Sequence, residues 1–161
     1  MTASEFNQCV DTYADGVFRF IRKNISDEDR ARDVVQDSFE KMWIKHADIS
    51  FEKAKSYLFT TAYHTMIDDI RKYSRQTELT EAAFNIHSHT SEYSGLKEIL
   101  DEAVANLPEI QRNVILLRDY EGYSYQEIGE ITGLNESQVK VYIYRARNFL
   151  KNYIGSLDKV I

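Results

Sequence analysis

The chain has 161 residues, 43% apolar and 29% charged, with one proline, six glycines and a formal net charge of −6. That length fits one compact domain or two small ones, and the apolar fraction suffices only for small cores. A single cysteine, Cys9, excludes an intramolecular disulfide and a cysteine zinc cluster, while the lack of a basic-then-apolar leader or an 18-residue apolar run argues against export and membrane insertion and for the cytoplasm.

No stretch alternates at the strand period, so the expected fold class is all-α: two small helical bundles, joined by a flexible acidic linker, with a C-terminal helix-turn-helix. The first helix spans about residues 4–23, with Phe6, Val10, Tyr13, Val17 and Ile21 on one face and Cys9 beside them as a small buried residue. The second spans about 27–46 and turns Ala31, Val34, Val35, Phe39, Met42 and Trp43 inward. After a loop near 48–52, the third covers about 53–74, with Leu58, Phe59, Ala62, Met66 and Ile70 facing the core. Residues 75–95 lose the periodicity and fill with Ser, Thr, Asn, His and Glu, as a tether does. The predicted division is therefore a first module over 1–75, a linker over 76–95 and a second module over 96–161.

The second module opens with a helix near 96–106, broken at Leu107-Pro108 because proline disfavours helix in the residue before it and suits the first turn after it. Another helix over 109–120 ends at Gly122. Two further helices follow, each announced by a capping box: Ser124 with Glu127, and Asn135 with Gln138. Gly133 falls where the chain must turn between them. In the last helix Val139, Ile143, Ala146 and Leu150 form a narrow apolar stripe, and Lys140, Val141, Tyr144, Arg145, Asn148 and Lys151 face the other way with Arg147 at the edge. Residues 137–152 hold four basic side chains and no acid, an imbalance that a merely solvated face seldom shows. This is a helix-turn-helix whose second helix is suited to a major groove.

Net acidity does not oppose that reading, because it is localised. Residues 1–75 carry −1, residues 76–102 carry −5 and residues 103–161 carry zero. In the second helix, Asp33, Gln36, Asp37 and Glu40 form a polar face beyond the first turn, either solvated or a dock for a basic protein. The third helix shows Lys53, Tyr57, Thr60, His64, Ile67 and Arg71 outward, followed by Lys72 and Arg75; interleaved rings and cations suit single-stranded nucleic acid as well as a half-buried tyrosine edge. Catalysis finds no constellation: His64 and Asp68 share a face without a third metal ligand, and no phosphate-binding glycine loop or nucleophile motif is present, so the expectation is no catalytic residue, no metal and no cofactor.

In this order the segments resemble a bacterial RNA polymerase sigma factor of the extracytoplasmic-function group, in the sigma-70 family. Residues 29–43 resemble its polymerase-docking helix, residues 56–72 its −10 recognition helix, and residues 107–147 its −35 module. The resemblance implies a promoter-specificity subunit, not an enzyme, whose partners are core RNA polymerase, promoter DNA (duplex at −35, single-stranded at −10) and an anti-sigma factor. It implies that Asp33, Gln36, Asp37 and Glu40 bind the polymerase clamp. Lys53, Lys55, Tyr57, Thr60, His64, Arg71 and Lys72 would serve the −10 element, the loop at 48–55 and His64 holding a flipped base. Gln138, Lys140, Val141, Tyr144, Arg145, Arg147 and Lys151 would serve −35. His64 stands where the family often has asparagine, and Lys140-Val141-Tyr142 where it commonly has arginine and serine. A helix-turn-helix regulator acting without polymerase is the alternative.

Overall fold

The computed structural model describes residues 1–80 and 95–158. Seven α-helices account for most of them: α1 (Ala3–Arg22), α2 (Glu28–Ile44), α3 (Ala54–Thr80), α4 (Leu96–Ala105), α5 (Glu109–Ile115), α6 (Tyr125–Thr132) and α7 (Glu136–Asp158). Two single 3₁₀ turns, His46–Asp48 and Phe51–Lys53, bridge α2 and α3, and a π-helical turn, Leu116–Tyr120, prolongs α5. Among the described residues there is no strand.

Helices begin where side chains can replace the missing intrahelical acceptors. Thr2 and Glu5 close a reciprocal box on α1, and Asp27 accepts from the N–H groups of Asp29 and Arg30 at the start of α2. The two boxes expected in the second bundle are both formed, Ser124 with Glu127 and Asn135 with Gln138. The box on α1 is read only from the structure.

In the first bundle α1, α2 and α3 pack mutually around Val17, Phe20, Ile21, Ala31, Met42, Leu58, Phe59 and Met66. Each large side chain buried here contributes about 1.5–3 kcal/mol by transfer from water. Two ties outside the core fix α2 on α3. Arg30 binds Asp69 at 2.6 Å with its guanidinium over the Tyr73 ring, and Lys41 donates to Thr65 at 3.0 Å. In the second bundle α4, α5 and α6 all pack on α7, around Val104, Leu107, Leu116, Ile128, Ile131, Val139, Ile143 and Ala146. Asn113 lies fully buried there, and its side-chain amide has no hydrogen-bond partner among the described residues.

Three expectations are corrected. Trp43, expected inside, is 43% exposed: its neighbour Met42 fills the core, and the indole at the helix end is covered only by the edge of Phe6 and a stacked His46. Ile67, expected outside, is buried; α3 packs against α1, α2 and α6, so its apolar arc is wider than that of a helix packed on one side. Helix α3 continues to Thr80, five residues into the expected linker. The remainder of that linker, 81–94, lies outside the described residues.

The turn between α6 and α7 rests on Gly133, in the left-handed region at φ 81°, whose N–H returns to Gly129 O at 2.8 Å. A side chain at this φ costs about 1–2 kcal/mol. Gly133→Ala should therefore lower the melting temperature by a few degrees, with thermal unfolding followed by circular dichroism as the check.

Candidate nucleic-acid and protein interfaces

Three of the expected surfaces occupy different faces. On α2, Asp33, Gln36, Asp37 and Glu40 are all exposed, and among the described residues none of their side chains has a hydrogen-bond or ion-pair partner. An uncompensated acidic row is electrostatically unfavourable alone and complementary to a cationic partner. The same face runs on into exposed apolar groups, Trp43 and Ile44, the latter 73% exposed. Sequence reading missed this extension. The signal was two adjacent apolar residues at a helix end, which cannot both point inward. Charged residues leading into an exposed aromatic and aliphatic patch are the composition of a protein-binding surface.

The second surface is the loop between α2 and α3 with the outer side of α3. The Met1 amino group donates to the carbonyls of His46 and Ile49, and His46 Nδ1 lies 2.6 Å from Trp43 O, so the loop is anchored at its base. Lys53, His64, Arg71 and Lys72 are exposed, and His64 meets Tyr63 edge-on at 5.5 Å. Tyr57 and Thr60 are half-buried, with the Thr60 hydroxyl donating to Ser56 O at 2.7 Å. His64 and Asp68 are both exposed on one side of α3. No cluster of three or more His, Cys, Asp or Glu is placed to hold a metal among the described residues.

Lys55 is the exception within this set, because the second bundle takes it up. Its ammonium sits 4.7 Å over the Tyr123 ring and 3.4 Å from Glu121 O, while the Tyr123 hydroxyl reaches Lys55 O at 3.5 Å. Tyr123 is buried and meets Phe59 edge-on at 5.4 Å; burial first, and the Glu121 carboxylate next, push its phenol far above the ordinary range, so it stays neutral. Around it Arg19 grips Glu121 at 3.0 Å, Lys23 binds Asp101 at 3.0 Å and lies over the Tyr120 ring, and Arg112 donates to Asn24 at 3.2 Å. Gly16 permits the approach of Glu121, since a Cβ there would lie 3.3 Å from its Oε2. The two bundles thus share a polar seam with a tyrosine at its centre.

The third surface is α7. Gln138, Lys140, Val141, Tyr144, Arg145, Arg147 and Lys151 are all exposed, opposite a stripe of Val139, Ile143 and Ala146 in the core. Several of its polar groups are already held. Gln138 Oε1 accepts from the Asn135 N–H, Lys140 pairs with Glu136 at 3.4 Å, and Arg145 leans on the Tyr142 ring. Arg147 binds Asp119 at 2.7 Å, and that hydrogen bond holds its guanidinium above the usual range. The π turn of α5 thus connects two surfaces, with Asp119 directed to α7 and Glu121, just beyond the turn, directed to α1.

Comparison with known proteins places these elements. The family description "Sigma-70 region 2" matches residues 9–76, and "Sigma-70, region 4" matches residues 97–150. The chain is 26% identical over 156 residues to the ECF RNA polymerase sigma factor SigM of Bacillus subtilis, covering 94% of each chain. It is 28% identical over 151 residues to the RNA polymerase sigma factor SigV of the same organism, covering 93% of this chain and 91% of that one. The sigma factor RpoE of Bartonella quintana, solved in complex with the anti-sigma factor NepR, superposes with a TM-score of 0.82 at 26% identity, over 95% of this chain and 98% of that one.

The seam between the bundles has a direct test. Arg19→Glu and Glu121→Arg should each expand the free chain in small-angle scattering, and the double swap should restore the compact radius. The side chain of Glu121 is only 7% exposed, so leaving it unpaired costs more than breaking an ordinary surface pair.

Proposed function

We infer that this chain, which belongs to the extracytoplasmic-function group of the sigma-70 family, is a promoter-specificity factor: it binds core RNA polymerase, recognises −10 and −35 promoter elements and promotes transcription initiation. The observation that carries this reading is the ordered pair of modules. An unpaired acidic face leading into exposed Trp43 and Ile44 stands in the first, and a doubly capped helix-turn-helix with four basic residues and no acid over 137–152 stands in the second. A duplex-binding regulator needs the second feature but not the first.

In this reading Asp33, Gln36, Asp37 and Glu40 supply electrostatic attraction to a cationic surface of the polymerase, and Trp43 with Ile44 supplies apolar burial beside it. The −10 strand lies along Lys53, Tyr57, Thr60, His64, Arg71 and Lys72. Unpairing one base costs a few kcal/mol, which a pocket at the loop and His64 offsets by holding the exposed base. On α7 the cations Lys140, Arg145, Arg147 and Lys151 serve as phosphate clamps or guanine readers and hold the module on the upstream duplex.

Lys55 completes the −10 set only when Tyr123 and Glu121 withdraw from it, so the packed arrangement is the resting one. The Bartonella relative was solved in complex with an anti-sigma factor; in this reading such a partner acts on the present chain by keeping the bundles in a non-productive arrangement. Among the described residues no helix is long and apolar enough to cross a membrane.

Run-off transcription with purified core polymerase on a randomised promoter library tests the reading. Specific initiation should require this chain, and unchanged transcription without it overturns the assignment. Gln36→Lys with Asp37→Lys should weaken co-elution with core polymerase by more than about hundredfold, since like charges across an interface cost several kcal/mol. Arg145→Ala should leave co-elution intact and reduce promoter use by about 10- to 100-fold. His64→Ala should flatten base preference at one −10 position in a single-substitution promoter scan.

A further inference from the structure

The outer face of α7 contains two side chains that its own polar chemistry does not explain. Gln138, Lys140, Arg145 and Arg147 all have partners within the protein. Among the described residues the side chains of Val141 and Tyr144 have neither a hydrogen-bond nor a ring partner, and they are 45% and 68% exposed. Three residues apart, they lie one above the other on the helix surface. Neither can turn inward, because the buried stripe of Val139, Ile143 and Ala146 already fills the opposite side.

Cations around this pair, with no acid from 137 to 152, fit a polyanion and not a basic or neutral protein groove. On duplex DNA an exposed valine has one partner of its own kind. The major groove presents hydrogen-bond donors and acceptors at every base pair but a single apolar group, the C5-methyl of thymine. Val141 stands in the second turn of α7, in the N-terminal part of a recognition helix that reaches base edges. Its branched side chain holds essentially one rotamer in a helix, so its methyls are already aimed outward.

We propose that Val141 and Tyr144 read thymine methyl groups in the −35 duplex, so that upstream specificity in this chain combines apolar contact to thymine with the surrounding cations. The Tyr144 ring packs on a methyl one turn further along the groove, leaving its hydroxyl to meet the backbone. The inference rests on the sigma-factor reading and narrows it to a base and to the atom of that base that is recognised.

The test uses the full chain bound to core polymerase and a promoter selected by that holoenzyme from a random library. Each thymine of the −35 duplex is replaced in turn by deoxyuridine, which removes only the methyl group, and affinity is measured by competition. Uracil should weaken binding by about fourfold at one or two positions, the effect of losing one buried methyl. Val141→Ser should abolish the thymine–uracil difference at one of them and Tyr144→Ala at the other. Uracil tolerated everywhere, with promoter preference intact, overturns the proposal and leaves the sigma-factor reading standing. An unchanged uracil penalty in both variants overturns it equally. A holoenzyme without any promoter preference removes the sigma-factor reading, and this inference with it.

Discussion

A tyrosine of one bundle is buried against a phenylalanine of the other, and the arrangement of every surface described here follows from that contact. Tyr123 reaches Phe59 on α3, lies beneath the Lys55 ammonium and is flanked by the Arg19–Glu121 pair. An aromatic ring buried at a seam supplies apolar area without orientation, and the surrounding ion pairs supply orientation with little net energy. Together they define how the modules sit: Lys55 is covered, while the acidic face of α2 and the cationic face of α7 stay open.

The seam belongs to a chain whose exposed surfaces differ in charge from one face to another. A sigma factor must present one face to a protein, another to unpaired bases and a third to duplex DNA. Here the electrostatics divide the work, with acids concentrated on α2 and cations on α7. The π-helical turn Leu116–Tyr120 stands at the junction, because Asp119 holds Arg147 on the recognition helix and Glu121 holds Arg19 on the first bundle. Movement of this turn would be felt on both sides, which makes it the physical link between packing of the modules and presentation of α7.

Apolar groups on the outside carry as much information as the charges. Trp43 and Ile44 continue the acidic face of α2 beyond its carboxylates, and Val141 with Tyr144 interrupts the cations of α7. In each case water is a poor neighbour, and the proposed partners match the flanking charges: protein beside the acidic side chains, DNA beside the basic ones.

Local rules made much of this chain legible before any fold was known. The boxes at Ser124–Glu127 and Asn135–Gln138 and the turn at Gly133 depend on contacts within four residues, and the structure has each of them. The outward position of Asp33, Gln36, Asp37 and Glu40 follows from helical period in the same way. Long-range packing decided the rest. Trp43 lies outside because Met42 had taken the core, and Ile67 lies inside on a helix that packs against more than one neighbour. Lys55 is engaged because Tyr123, 68 residues away, lands on it. Helical periodicity states which residues share a face, but only the assembled bundles determine how many neighbours that face will have.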